Sequence, residues 1–157
     1  MYSAGAMKLY IRQSDQHGQG VFASMPIASG EAIIVFTGPL LHRSEVDFGD
    51  YHLQIGEELY LGPSGSADDY INHSCHPNSG FRDGLTLYAL RDIAAGEEIT
   101  WDYSTAIDEE DFPGFPCACG APGCRGTVRS FRHLLPDVQA RLRPLLLPYL
   151  NSRYFRD

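Results

Sequence analysis

Four cysteines are the side chains of this chain best suited to holding a metal ion. Three form a C-x-C-x4-C cluster and the fourth stands alone near the middle of the chain: Cys117, Cys119, Cys124 and Cys75. Four thiolates are a common ligand set for tetrahedral zinc, and the chain has no other cysteines. They leave no open position for water, which is typical of a structural site. The sequence therefore predicts one structural zinc that ties the C-terminal segment to the middle of the chain.

Two disulfides are the alternative use of four cysteines. Cys117 and Cys119 are too close in sequence to pair comfortably with each other, and the Gly/Pro-rich spacing of the cluster suits a metal knuckle better. No apolar run approaches the roughly 20 residues of a membrane span, and the N-terminus lacks the layout of a secretion signal. We therefore expect no membrane association and an intracellular location, cytoplasmic or, in a eukaryote, nuclear, where thiols stay reduced.

The net charge of −8, from 20 acidic and 12 basic residues, bears on the partner. Phosphate binding needs clustered Lys and Arg, so direct binding of nucleic acid is not expected. An acidic surface suits a basic protein or peptide, although negative charge can also serve solubility alone. The acidic run 108–111 has the same two interpretations: a solvated loop, or a segment that receives a basic peptide.

The elements that position these residues are predicted to be short strands. Each predicted strand is a brief apolar run bounded by turn residues, and together they cover 8–12, 20–23, 32–36, 50–55, 58–61, 85–90 and 98–101. Single helical turns are expected near 44–47 and 67–71. From Pro136 the pattern becomes helical, and Pro144 and Pro148 divide it into short pieces. At 157 residues, 43% of them hydrophobic, the chain can bury a real core. We expect one mostly β domain, a β-rich α+β fold.

Four motifs precede the C-x-C-x4-C cluster, and one of them contains Cys75. They are HGQGVFA at 17–23, GEAIIVFTG at 30–38, YINHSCHPN at 70–78 and GEEITWDY at 96–103. With the C-x-C-x4-C cluster that follows, they resemble the SET domain of protein-lysine methyltransferases and its post-SET zinc knuckle. The resemblance covers residues 9 to 125. It implies a β-clip-like fold in which the Asn72 and Tyr103 segments cross in a knot-like arrangement.

The resemblance also implies a division of the chain and a reaction. It suggests a SET domain at 8–106, a post-SET zinc-binding segment at 107–130 and a C-terminal helical extension at 131–157 packed on the domain. The implied reaction is methyl transfer from S-adenosylmethionine to a lysine side chain of a histone or another basic protein. A catalytically inactive SET module that binds a partner peptide is the alternative.

The resemblance assigns roles to individual residues by motif position. The expected donor-binding residues are His17, Gly18, Gln19, Tyr51, Asn72 and His73. Tyr103 is expected to be catalytic and to line the lysine channel with Trp101. The family commonly has Phe or Tyr at the position of Trp101, so the bulky indole predicts mono- or dimethylation. Asp69 stands where the family often has an arginine, so either the support of the catalytic loop is altered or another residue compensates.

Overall fold

The computed structural model describes residues 8–47 and 52–155, and its fold is strand-rich, as predicted. Within these ranges no helix is long and apolar enough to cross a membrane. The strands are β1 (Leu9–Gln13), β2 (Gln19–Ala23), β3 (Ala32–Val35), β4 (Leu40–His42), β5 (Leu53–Gln54), β6 (Leu59–Leu61), β7 (Asn72–His73), β8 (Ser79–Asp83), β9 (Thr86–Ala89), β10 (Thr100–Trp101), β11 (Phe115–Pro116) and β12 (Thr127–Val128).

The strands assemble into several small sheets. β1 and β2 pair as an antiparallel hairpin, β3, β9 and β8 form one three-stranded sheet, and β4, β6 and β5 form another. β11 pairs with β12, and both belong to the cysteine-containing segment. β7 and β10 form a parallel pair. A parallel pair cannot be closed by a tight turn, so this contact joins two segments that are distant in sequence.

The apolar pattern of the sequence predicts seven of these strands and misses β4, β7, β8, β11 and β12. Four of the missed strands have only two or three residues, and β8, with five, is largely polar, so none shows a clear alternation. Their pairing partners, not their own composition, make them strands. The strand predicted at 50–55 is formed at Leu53–Gln54, and residues 50 and 51 lie outside the described residues.

The helices follow the prolines, as the sequence predicts. Pro136 opens α1 (Pro136–Leu142) and Pro148 opens α2 (Pro148–Tyr154), with a 3-10 turn at Arg143–Leu145 between them. Proline is tolerated at the start of a helix because the N–H that it lacks has no partner there. The two single turns are also present, as 3-10 turns at Arg43–Glu45 and Ala67–Tyr70.

The C-terminal helices are packed on the strands. They bury a small apolar cluster of their own, consisting of Phe131, Leu134, Leu142, Leu146 and Leu150. Leu147, directly before α2, belongs instead to the main core, together with Phe81, Leu87 and Trp101. Burial of one such side chain contributes about 1.5–3 kcal/mol, so the helices and the strands stabilise each other.

A buried carboxylate fastens the same helices. Oδ1 of Asp108 accepts hydrogen bonds from the backbone N–H of Arg132 at 2.9 Å and from its Nε at 3.2 Å. Oδ2 accepts from the hydroxyl of Tyr154 in α2 at 2.7 Å, and the backbone N–H of Asp108 donates to the side chain of Gln54 in β5 at 2.8 Å. Asp108 and Glu109 are buried, so the solvated-loop interpretation of the acidic run is wrong for its first half.

We expect Asp108→Ala to lower the free energy of unfolding by about 3 kcal/mol, because it removes a buried, hydrogen-bonded charge from between three elements. Urea denaturation of the metal-loaded protein measures this difference. Asp111→Ala is the matched control: its side chain is 77% exposed, and its loss should change stability by less than about 0.5 kcal/mol. Equal midpoints for the two variants would contradict the role given to Asp108.

Candidate active site and metal centre

The parallel pair β7–β10 brings two of the predicted motifs side by side. Asn72 lies opposite Thr100, and His73 lies opposite Trp101. The contact continues beyond the strands, where the backbone N–H of Tyr103 donates to Nδ1 of His73 at 3.1 Å. Residues that are about 30 positions apart in sequence therefore share one site.

This site opens into a cleft of about 650 Å³. Its walls include every predicted donor-binding and channel residue that the structure describes: His17, Gly18, Gln19, Asn72, His73, Trp101 and Tyr103. Tyr51 lies outside the described residues. The segment 112–119, which includes Cys117 and Cys119, forms another part of the wall. The volume is within the usual range of cofactor and small-molecule sites.

The loop between β1 and β2 is held at the cleft by the side chain of Asn72. Nδ2 of Asn72 donates to the carbonyl oxygens of His17 at 3.1 Å and Gln19 at 3.0 Å, and to Oε2 of Glu98 at 2.8 Å. Gly18 between them has a φ of 47°, in the region that favours glycine, and a Cβ there would meet open space. Asn72 therefore anchors the loop, and its expected contact with a methyl donor stays a prediction.

Glu98 also takes part in this hydrogen-bond network, although no role is predicted for it from the sequence. Its Oε1 accepts from the hydroxyl of Ser14, the residue after β1, at 2.9 Å, so the carboxylate joins the β1–β2 loop, Asn72 and the GEEITWDY motif. A Cβ on Gly20 would stand 2.5 Å from Oε2 of Glu98, so a larger residue there would displace this carboxylate. The sequence signal for Glu98 is its place inside the motif.

Tyr103 stands at the junction of the cleft walls. Its hydroxyl donates to the carbonyl oxygen of Ile71 at 2.6 Å. Because this bond uses the hydroxyl proton, the oxygen can only accept hydrogen bonds from other groups. Its ring centroid is 4.7 Å from that of Trp101 and 6.2 Å from that of Phe115 in β11. The cysteine-containing segment thus contributes an aromatic contact to the predicted catalytic residue.

Trp101 forms a rigid apolar wall beside Tyr103. Only 5% of it is exposed, and its ring packs edge-on against Phe36 at 5.7 Å and Phe81 at 5.1 Å between centroids. Its indole N–H is buried and has no hydrogen-bond partner among the described residues. Close packing on several sides holds the indole in one orientation.

His73 is a neutral imidazole that touches both the predicted catalytic segment and the cysteines. Burial lowers its pKa to about 4, although Asp102, at 3.7 Å, acts in the opposite direction. Because Nδ1 accepts from the N–H of Tyr103, the ring proton belongs on Nε2, which lies 3.4 Å from Sγ of Cys75. His73 therefore bridges the two parts of the site.

The four cysteines meet in one cluster, as the sequence predicts. Their Sγ atoms all lie within 4.8 Å of one another, and those of Cys75 and Cys117 are 3.7 Å apart. Four sulfurs at about 2.3 Å from a tetrahedral zinc would be about 3.8 Å apart, so the donor set fits this metal. The cysteines are free, and the geometry favours a metal over the disulfide alternative.

Backbone hydrogen bonds to two of the sulfur atoms favour the thiolate form that a metal ion needs. Backbone N–H groups of Arg125 and Gly126 donate to the Sγ atoms of Cys75 and Cys124 at 3.4 and 3.5 Å. Burial opposes ionisation of Cys119, but hydrogen bonds involving backbone groups outweigh it and lower its pKa to about 6. Burial raises the pKa of Cys75. A bound metal ion would favour the thiolate form of both.

Asp69, at the position of the family's arginine, supports the loop before the NHSCHPN segment. Its carboxylate accepts from the backbone N–H groups of Ser64 at 2.9 Å and Gly65 at 2.8 Å. The neighbouring Asp68 accepts from the N–H of Thr37 at 3.0 Å. Two carboxylates and three backbone donors thus hold the loop before the NHSCHPN segment.

Comparison with known proteins agrees with this geometry. Residues 18–104, more than half of the chain, match the SET domain family. The chain is 34% identical over 143 residues to "Histone-lysine N-methyltransferase ATX2" of Arabidopsis thaliana, an alignment that covers 77% of this chain and 13% of that protein. It is 32% identical over 130 residues to "Histone-lysine N-methyltransferase, H3 lysine-4 specific" of Saccharomyces cerevisiae, covering 70% and 12% respectively.

Among solved structures, the chain is similar to the crystal structure of KRYPTONITE in complex with mCHG DNA and SAH. The TM-score is 0.64 at 26% identity, and the match covers 77% of this chain and 29% of that one. The chain thus spans only a small fraction of the length of these relatives. On the family match, supported by the shared fold, the chain belongs to the SET domain family.

Proposed function

We propose that this chain transfers a methyl group from S-adenosylmethionine to the side-chain amine of a lysine in a histone or another basic protein. The observation that carries the proposal is the single cleft in which the 17–19 loop, Tyr103 and the cysteine-containing segment meet. The named relatives, which are histone-lysine N-methyltransferases, and the SAH of the similar crystal structure support it.

The methyl donor would occupy the part of the cleft beside the 17–19 loop. His17, Gly18 and Gln19 would hold its methionine portion, partly through backbone groups, with Asn72 and His73 beside its polar groups and adenine. The donor, when bound, supplies an electrophilic methyl group. The residues of the chain supply position, since alignment of two reactants removes several kcal/mol from a barrier.

The lysine would enter against Trp101 and Tyr103. An unperturbed lysine has a pKa of about 10.4, and only its neutral amine is a nucleophile. The apolar wall of Trp101, Phe36 and Phe115 disfavours the charged amine and so lowers that pKa. The oxygen of Tyr103 is placed to accept a hydrogen bond from the amine and orient its lone pair.

We propose further that the cysteine cluster holds one structural zinc, with Cys75, Cys117, Cys119 and Cys124 as its ligands. The ion would pin the wall formed by residues 112–119 over the lysine side of the cleft. We also propose a division into a SET domain at 8–106, a post-SET segment at 107–130 and a helical extension at 131–157.

A basic substrate fits the charges at the rim of this cleft. The side chains of Glu110 and Asp111 are 87% and 77% exposed and stand next to Phe112 in the wall. Exposed carboxylates of this kind attract and orient a lysine-rich segment. A histone substrate would place the protein with chromatin. The absence of direct nucleic-acid binding stays a prediction, since the similar crystal structure contains DNA.

Mass spectrometry of a panel of basic proteins, incubated with the chain and isotope-labelled donor, tests the reaction. The expected result is label on lysine in at least one protein. Binding of a basic peptide without any label transfer would favour the alternative of an inactive SET module.

Tyr103→Phe should fold normally and lose about 10²-fold in methyl transfer, because it removes the oxygen that positions the amine. Single-turnover kinetics with labelled donor measure the loss. Tyr88→Phe is the matched control: it deletes a hydroxyl that donates to Asp83 on the surface, and it should leave the rate unchanged. A fully active Tyr103→Phe would remove the role proposed for this residue.

Trp101→Phe should raise the proportion of higher methylation states, because a smaller ring leaves more room around the amine. The distribution of mono-, di- and trimethyllysine in the product, read by mass spectrometry at equal conversion, measures the effect. Phe81→Leu, which changes a neighbour of Trp101 in the core, is the control for general loosening. An unaltered product distribution in Trp101→Phe would exclude control by this side chain.

Cys124→Ser should reduce bound zinc below one ion per chain, because the hydroxyl is a poor substitute for a thiolate ligand. Elemental analysis of the purified protein gives the stoichiometry. Ala121→Ser, in the same loop but without a change in the thiols, should keep the ion. A full complement of zinc in Cys124→Ser would argue against the four-thiolate site.

A further inference from the structure

Arg125 contacts the cysteine cluster through its backbone. It follows Cys124 directly, and its N–H donates to Sγ of Cys75 at 3.4 Å. Its position therefore depends on the assembly of cysteines that are distant in sequence. A cation that gathers the four thiolates would fix the backbone of Arg125 at the same time.

The side chain of Arg125 reaches the segment that carries Tyr103. Its Nη1 donates to Oδ2 of Asp102 at 2.9 Å, and its Nη2 donates to Oδ1 at 2.8 Å. The Asp102 side chain is fully buried, and that of Arg125 is 12% exposed. Two parallel charge-assisted bonds in a buried site impose one geometry on both partners.

Asp102 caps the 3-10 turn at Tyr103–Thr105. Its Oδ1 accepts from the N–H of Ser104 at 3.0 Å, and its carbonyl oxygen accepts from the N–H of Thr105 at 3.0 Å. This cap sets the backbone of Tyr103 and hence the direction of its side chain. The nearby ring of His73 is not a counter-ion, because its Nδ1 accepts from Tyr103. Among the described residues, the charged partner of Asp102 is therefore Arg125.

We propose that Arg125 is a positioning residue, which transmits the metal-loaded state of the cysteine cluster through Asp102 to the orientation of Tyr103. Arg125 is not among the residues that line the cleft. Metal binding orders the turn 103–105 because the cluster, Arg125 and the Asp102 cap form one continuous chain of contacts. The inference deepens the proposed function and rests on it for the role of Tyr103, while the physical coupling is independent of any reaction.

Hydrogen–deuterium exchange at the N–H groups of Ser104 and Thr105 tests the coupling without an activity assay. In the wild-type chain, removal of the metal with a chelator should accelerate exchange at both. In Arg125→Lys, which keeps the charge but cannot form the two-pronged contact, exchange should already be fast with metal bound, and the chelator should add little. Arg129→Lys, at an exposed neighbouring arginine, is the matched control and should behave as wild type.

Kinetics of the same variants give a second readout. With the metal content unchanged, Arg125→Lys should lower kcat by roughly 10- to 100-fold, as expected for the loss of one charge-assisted hydrogen bond. The KM for the methyl donor should stay within about twofold, because the 17–19 loop is untouched. Asp102→Asn should give the same pattern, and the double variant should lose little more than either single one.

The outcomes separate the two ideas. Wild-type protection at Ser104 and Thr105 in metal-loaded Arg125→Lys, with the same response to chelator as the wild type, would overturn the coupling. A wild-type chain without methyl transfer would instead remove the proposed function, and the exchange data would still decide whether Arg125 links the metal to the turn. Loss of metal from Arg125→Lys itself would also count against the proposal, since it would make Arg125 part of the metal site.

Discussion

The parallel contact between β7 and β10 is the constraint on which the rest of the site depends. Two residues from each strand suffice to place His73 beside Trp101 and, two residues further on, the ring of Tyr103 edge-on to that of His73. His73, Asn78 and Thr100 are buried at this contact and are hydrogen-bonded: Asn78 accepts from the N–H of Thr100 at 2.9 Å. Because an unpaired buried polar group is costly, these bonds allow one register and exclude its neighbours.

The cleft is an assembly of segments that have few contacts of their own. The 17–19 loop is held by Asn72, and the wall at 112–119 is held by the cysteines and by the short β11–β12 pair. Neither segment buries a large apolar surface. A metal ion is an economical way to fix such a wall, since ligand bonds replace the core that a short segment cannot form. The same arrangement is the basis of the proposed link between the cluster and the geometry around Tyr103.

The C-terminal helices are a third support, and they work mainly through burial. Leu147 enters the main core, and the N–H of this residue donates to the carbonyl oxygen of Thr105 at 3.1 Å, directly behind the turn that carries Tyr103. Asp108 binds both Arg132 and Tyr154, so the start of the post-SET segment and α2 share one anchor. The site is thus held on one side by the cysteine cluster and on the other by apolar and ionic contacts.

The sequence by itself determined the chemistry and the local geometry. It specified four thiolates, the motif positions of Asn72 and Tyr103, and the prolines that open both helices, because ligand type and backbone restriction are properties of single residues. Only the tertiary structure decided that two polar residues become β7, that Asp108 is buried, and that Arg125 binds Asp102. These outcomes depend on partners far along the chain, since a strand or a buried charge is stable only where another segment satisfies its hydrogen bonds. No pattern in neighbouring residues encodes that choice of partner.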